Sequence, residues 1–275
     1  MKTILKGLTA LALGLGLASA AQAAEYPIHE PIEQSWSFAG PFGTYDRGQL
    51  QRGFQVYREA CAACHGLSRV AIRNLQALGY SEQQVIALAA EYEVEDGPDS
   101  YGDMFMRPAI PADRFPSPFP NPEAAAAANN GAVPPDLSLM AKARTAERGF
   151  PRFVFDIFTQ YEAGGVDYVY SLLQGYQDPP EGYEVQPGTY YNPYFLAGTS
   201  LSMPQPFSDG MISYNDGSPE TIHQYSRDVA AFLMWTAEPH LETRKQTGFI
   251  VMIFLVLFGG LVYMSKRKVW ASVPH

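Results

Sequence analysis

The chain has 275 residues, 47% of them hydrophobic; that length allows one large or two small domains with a sizeable core, and the composition excludes bulk disorder. A formal net charge of −9 argues against nucleic-acid binding as the main task. With only two cysteines, a multi-disulfide framework and a four-cysteine zinc site are both excluded.

The N-terminus reads as a secretory signal: Lys2 and Lys6 supply the positive region, Leu8 to Ala20 the apolar run, and Ala21-Gln22-Ala23 the small-x-small pattern that places cleavage after Ala23. A retained N-terminal anchor is the alternative. Further on, Leu50, Phe54, Tyr57, Cys61 and Cys64 recur at the spacing of one helical face. That helix would deliver both cysteines and His65 to the same side.

Cys61-Ala62-Ala63-Cys64-His65 is C-x-x-C-H, the attachment motif for c-type haem. Two thiols one helical turn apart can each bond one vinyl-derived carbon of the porphyrin, and the adjacent imidazole can then reach the iron as an axial ligand. Two other readings compete. One is a disulfide. The other is a thioredoxin-like dithiol, but that motif follows a strand and opens a helix, whereas here helical spacing comes first.

The 22 prolines, 17 tyrosines and 16 phenylalanines predict long loops pinned by aromatic packing. Ser81 to Asp103 holds seven acids and no base, and Phe153 to Ser226 holds nine acids without a lysine or arginine. Ala124–Ala128 predicts a short helix. A second helix is predicted from about Pro219 to Glu238, stopping before Pro239, with Met234 as filler on its apolar face. No charge falls between Lys245 and Lys266, and those 20 residues, as a helix, span roughly the 30 Å of a bilayer core. Gly259-Gly260 is tolerated in membrane helices, and Lys266-Arg267-Lys268 form the stop expected on the cytoplasmic side. A buried helix of a soluble protein would need a polar face, which this run lacks.

These ends divide the chain into a signal peptide (1–23), a periplasmic domain (24–245), a transmembrane helix (246–265) and a cytoplasmic tail (266–275), on a bacterial inner membrane. All 28 acidic residues lie between Glu25 and Glu242, but only 14 of the 19 basic ones lie between Glu25 and Lys245. A field of that sign attracts a cationic partner; the plainer reading is a solvated surface kept for solubility.

A second axial ligand must come from the remaining histidines (His29, His223, His240, His275) or from a methionine. Met203, in the Pro-rich stretch Ser202-Met203-Pro204-Gln205-Pro206-Phe207, fits a stiff loop reaching over the distal face, with Met106 next. Thioether ligation would raise the potential relative to two histidines, and a six-coordinate iron moves electrons without binding substrate.

Several longer stretches resemble the cytochrome c1 family, the membrane-anchored haem subunits of cytochrome bc1 complexes. Arg114-Phe115-Pro116-Ser117-Pro118-Phe119-Pro120-Asn121-Pro122-Glu123 and Ala128-Asn129-Asn130-Gly131-Ala132-Val133-Pro134-Pro135-Asp136-Leu137-Ser138-Leu139 carry the resemblance most specifically. It continues through Ala141 to Arg144, Asp167 to Leu173, Tyr191 to Phe195, Tyr214 to Pro219, Asp228 to Leu233 and Ala237-Glu238-Pro239. It implies that Met203 is the sixth ligand, that Arg144 pairs with a haem propionate, that Asn129 and Tyr168 lie near the haem, and that Pro134 and Pro135 wall it. The segment from Thr145 to Val166 is longer than in many relatives and has no cysteine pair to brace it, so packing must. Leu78 to Met104 matches too loosely to name docking residues.

The expected fold is therefore mainly α: a c-type cytochrome domain with long Pro- and aromatic-rich loops plus one C-terminal transmembrane helix. The resemblance implies electron transfer inside a quinol–cytochrome c reductase, on one covalently bound haem c, from the Rieske iron–sulfur protein to a soluble cationic cytochrome c, with cytochrome b as a further partner. The subunit would have no bond-making chemistry of its own. A tethered carrier outside any bc1 complex and a haem peroxidase are the alternatives.

Overall fold

The computed structural model describes residues 28–146, 149–159 and 163–273. The expected signal peptide and His275 lie outside the described residues, as do parts of the 145–166 segment. In chain order the helices are α1 (Arg47–Val56), continued by a π-helical turn (Tyr57–Cys61), a 3₁₀ segment (Ile72–Leu78), α2 (Glu82–Ala89), α3 (Pro122–Ala128), α4 (Met140–Ala143), α5 (Arg152–Thr159), α6 (Gly164–Gln174), α7 (Ile222–Ala237) and α8 (Leu241–Trp270). Two small antiparallel ladders join β1 (Glu93–Asp96) to β2 (Phe105–Pro108), and β3 (Tyr190–Tyr191) to β4 (Ser200–Leu201).

The core forms around α7, whose Tyr225, Val229, Ala230, Ala231, Phe232, Leu233, Met234 and Trp235 are all buried. Met234 is core filler, as its place on the apolar face predicts. Thr221 caps the N-terminus of α7 by accepting from the Gln224 N–H. α1 crosses α7 on one side, while α4 and α6 pack on it as well. The α1–α7 crossing is close because Gly53 sits at it: a Cβ there would lie 2.1 Å from the Asp228 carbonyl oxygen and 2.6 Å from the Phe232 Cβ. Beside the crossing, Arg52 donates to the fully buried Asp228 at 2.9 Å and to Asp216 at 2.7 Å. A buried carboxylate is tolerable only when paired in this way. Phe54, Tyr57 and Phe115 close an aromatic lattice over Phe232 and Trp235, with ring centroids 5.6 to 6.4 Å apart.

α1 begins where the Asp46 side chain accepts the Gln49 N–H at 3.2 Å. The helical face read from the sequence holds through Leu50, Phe54, Tyr57 and Cys61, all buried. It does not reach Cys64, which is exposed. The Ala62 N–H bonds the Tyr57 carbonyl five residues back, at 2.8 Å, so the last turn widens to a π-helix. The Cys64 and His65 N–H groups then both fold onto the Cys61 carbonyl, at 3.1 and 2.9 Å. That turn carries Cys64 away from the face that Cys61 occupies.

The predicted short helix at 124–128 begins two residues earlier, at Pro122, with Asn121 as its cap. Within the long 145–166 segment, α5 and the start of α6 supply helical structure that composition alone does not announce. At its N-terminal side the described chain is tied to α6: Trp36 Nε1 and the Gln34 N–H donate to Asp167 at 2.8 and 3.0 Å, and the Ile32 N–H donates to the Ser171 hydroxyl at 2.8 Å.

α8 follows α7 almost at once and extends the expected span at both ends. Its 30 residues would reach about 45 Å. From Phe249 to Trp270 every residue is exposed; Phe249 meets Phe42 edge-on at 5.6 Å, and the apolar run beyond it is long enough to cross a membrane. Its root is held differently. Leu241 is buried, Lys245 Nζ donates to the carbonyls of Phe38 and Gly40 at 2.6 and 2.5 Å, and Glu242 accepts the Tyr45 N–H at 2.7 Å. Glu238, between the helices, pairs with both Lys142 and Arg244.

Candidate functional site

His65 leaves the π-turn with its ring already oriented. Its Nδ1 lies 2.8 Å from the Pro135 carbonyl. A carbonyl can only accept, so Nδ1 carries the proton and Nε2 is left as the lone-pair nitrogen, the form in which imidazole binds a metal. Burial pushes the His65 pKa below its ordinary value, against the Pro135 carbonyl and Asp136, which favour the protonated ring. The Tyr57 hydroxyl donates to the His65 carbonyl at 2.9 Å. No disulfide joins Cys61 to Cys64. Cys61 is enclosed, and burial, with a further contribution from Cys64, pushes its pKa up to about 12.

The Pro135 carbonyl is held in place by its neighbours. Asp136 Oδ2 accepts the Ser68 N–H at 2.8 Å and Oδ1 the Ser138 N–H at 2.9 Å. The Leu137 N–H donates to the Gly66 carbonyl at 2.9 Å, and the Arg69 N–H to the Ser138 hydroxyl at 3.1 Å. Residues 65–69 and 135–138 are thus laced together. Burial raises the Asp136 pKa, but hydrogen bonds from Ser138 and Ser68 outweigh it and hold the group below the usual carboxylate range. Pro134 is half-buried and Pro135 exposed, both in irregular backbone. Asn129 ends α3, donating from Nδ2 to the Ala125 carbonyl at 2.8 Å. Asn130 (φ 53°) and Gly131 (φ 85°) then turn the chain toward Pro134 through left-handed backbone.

A second group gathers around α6. Tyr168 is buried. Burial raises its pKa, opposed by the Leu196 N–H and by the nearby charge of Arg144. Arg144 is the exposed residue that ends α4, and no acid pairs with it among the described residues. Its place depends on Gly165, where a Cβ would lie 2.0 Å from the Ala141 carbonyl and 2.9 Å from the Arg144 carbonyl. Met203 is half-buried against the core. The Tyr176 hydroxyl donates to its carbonyl at 3.0 Å, and burial, with Tyr168 and Tyr190 nearby, raises the Tyr176 pKa.

The structure therefore brings the predicted residues into two sets. Cys61, Cys64, His65, Pro134 and Pro135 form one, and Arg144, Tyr168 and Met203 the other; residues 134–144 run between them, and Asn129 stands at the entry to that connection. No hydrogen bond or ring contact joins Met203 to His65 among the described residues. The other ligand candidates are placed elsewhere. Met106 lies 58% exposed on β2, opposite Glu95. His29 packs edge-on to Tyr194, His223 edge-on to Tyr170, and His240 precedes α8. Tyr57, Asp136 and Tyr176 join the site only through the fold. An Asx turn was legible in Asp136-Leu137-Ser138; nothing local marks Tyr176.

These residues fit a porphyrin better than a bare ion. Among the described residues no cluster of three or more His, Cys, Asp or Glu could hold a metal; a haem iron, held by its macrocycle, asks the protein only for axial side chains. The neutral, oriented imidazole supplies one such ligand. Val133 and Leu139, 53% and 42% exposed, offer apolar surface on the loops flanking it.

Residues 36–273 match the model of the Cytochrome C1 family. The chain is 58% identical over 247 residues to a Bradyrhizobium diazoefficiens protein named cytochrome b/c1, covering 88% of this chain and 36% of that much longer relative. It is 50% identical over 275 residues to cytochrome c1 of Blastochloris viridis, covering 98% and 97% of the two chains. It is 43% identical over 257 residues to the mitochondrial cytochrome c1 haem protein of Saccharomyces cerevisiae, covering 93% and 77%.

Proposed function

The chain belongs to the cytochrome c1 family, and from that premise we propose that it is the haem-bearing electron-transfer subunit of a cytochrome bc1 complex, a ubiquinol–cytochrome c reductase. Members of this family carry a covalently bound haem c, which supplies an iron that gains and loses one electron. The observation that carries the reading is the 2.8 Å bond from His65 Nδ1 to the Pro135 carbonyl, on the histidine that completes C-x-x-C-H.

In this reading Cys61 and Cys64 form the thioether links, His65 Nε2 and the Met203 sulfur are the axial ligands, and Arg144 pairs with a propionate. Tyr168, Asn129, Pro134 and Pro135 shape the surrounding wall. The residues hold, orient and shield; none of them makes or breaks a substrate bond. Electrons arrive from a Rieske iron–sulfur protein and leave to a soluble cationic cytochrome c. Cytochrome b is the membrane partner, a pairing supported by the relative whose name joins b and c1. α8 is the anchor, with residues 1–23 removed on export, residues 24–245 in the periplasm and the basic tail in the cytoplasm of a bacterial inner membrane.

Affinity purification of the full-length chain from detergent-solubilised membranes should recover a cytochrome b and a Rieske protein in equal amounts. Recovery of the chain alone, still reducible by its native donor, would favour a free-standing carrier. The acid-rich surface, where Glu93, Glu95, Asp99 and Asp103 cluster on the β1–β2 hairpin while Asp96 is paired with Arg107, sets a second expectation. Rapid-mixing rates for oxidation by a cationic cytochrome c should fall steeply as salt rises from about 10 mM to 150 mM, since the Debye length shrinks from roughly 30 Å to 8 Å. A flat salt profile would leave that surface a solubilising role only.

A further inference from the structure

We infer that Asp136 is a positioning residue that acts on the axial site through His65, both by fixing the Pro135 carbonyl against the ring and by placing a full negative charge beside it. The inference deepens the proposed electron-transfer role and rests on it.

The geometry is specific. Asp136 directly follows the residue whose carbonyl accepts from His65 Nδ1 at 2.8 Å. Its two carboxylate oxygens are divided between the two strands of chain that must stay in register: Oδ2 takes the Ser68 N–H, three residues past the ligand, and Oδ1 the Ser138 N–H, two residues past itself. The approach is tight enough that a Cβ on Gly66 would come 3.3 Å from Oδ2. This side chain, together with the Leu137 N–H bond to the Gly66 carbonyl, therefore sets the distance between the axial histidine and the acceptor that orients it. No cation pairs with Asp136 among the described residues; the protein dipoles that face its charge are two backbone N–H groups and the hydroxyls of Ser68 and Ser138, and its outer side is open to water.

Two consequences have the same sign. A firm hydrogen bond from Nδ1 to a carbonyl raises the basicity of Nε2, and a negative charge nearby favours the more positive metal state; both lower the reduction potential. Removing the charge should raise it. Removing a dipole that moderates the charge should do the opposite, because more of the carboxylate's field then reaches the site.

The test is a redox titration of the full-length chain in its solubilised complex, with covalent haem verified by haemochrome spectrum in every sample. Asp136→Asn keeps the shape and one acceptor but no charge, and its midpoint should shift upward. Ser68→Ala, at an exposed position, removes a hydroxyl donor and should shift the midpoint downward. A slackened loop would move both variants the same way, so shifts of one sign, or no shift in Asp136→Asn, would overturn the inference. Should Asp136→Asn fail to assemble, Ser68→Ala decides alone: an unchanged or higher midpoint overturns the inference. Absence of covalent haem in the unsubstituted chain would overturn the electron-transfer reading and this inference with it, whereas haem-loaded variants with same-sign shifts overturn only the latter.

Discussion

Met203→Leu should leave the haem covalently attached while lowering its midpoint potential by on the order of 0.2 V, part of the ≈0.8 V range over which axial ligands tune haem. For one electron at 59 mV per decade, that is about three orders of magnitude in the equilibrium constant for accepting an electron, or roughly 5 kcal/mol. The substitution isolates the sulfur. Leucine and methionine have similar volumes, so the half-buried site should repack at little cost. The loop itself is held by its backbone, since the Tyr176 hydroxyl donates to the residue-203 carbonyl, an acceptor that leucine retains. Redox titration and the weak long-wavelength band of the ferric, thioether-ligated form are the two readouts. The variant should also bind carbon monoxide when reduced, which the parent should resist. An unchanged potential and band would move the ligand elsewhere, with Met106 the next residue to substitute.

Gly53→Ala should cost about 3 kcal/mol or more and lower Tm by roughly 10 °C in thermal unfolding of the solubilised chain. The added methyl would sit 2.1 Å from the Asp228 carbonyl oxygen and 2.6 Å from the Phe232 Cβ, so backbone, not a flexible side-chain tip, must give way. Separating α1 from α7 there also strains the bond between Arg52 and the buried Asp228. Breaking such a pair is expensive because the carboxylate cannot regain water. Gly48, one and a half turns earlier on α1, is the control: a Cβ would meet nothing closer than 3.4 Å. Gly48→Ala should be neutral or stabilise by up to about 1 kcal/mol through helix propensity. Equal Tm values for the two variants would mean that the crossing is looser than the geometry requires.

The difference between those two glycines shows where sequence reading stops. Both stand in the same helix, and only the partner helix, some 175 positions away, tells them apart. Chemistry carried by adjacent residues was legible: the C-x-x-C-H motif, the 20-residue uncharged run, and the helix ending before Pro239. Elements whose stability comes from packing were not. α6 opens with Gly164-Gly165, which reads as loop, yet Gly165 is needed for the approach of α4. The π-turn was hidden for a related reason. Its residues have the spacing of an ordinary helix, and only the pull of the chain toward the Cys61 carbonyl exposes the wider winding that displaces Cys64. Asp136 lies in the Pro134-Pro135-Asp136 stretch, but its partner Ser68 is 68 positions away, so the bond between them is visible only in three dimensions.

The way α8 leaves the domain has a mechanical consequence. Only Glu238, Pro239 and His240 separate it from α7, and its first turn is bolted down by Lys245 on the Phe38 and Gly40 carbonyls and by Glu242 on the Tyr45 amide. The tether is a mast, not a leash. A domain mounted on such a post has little freedom to pivot about its root. Whatever hands it an electron, and whatever collects one, must do the travelling.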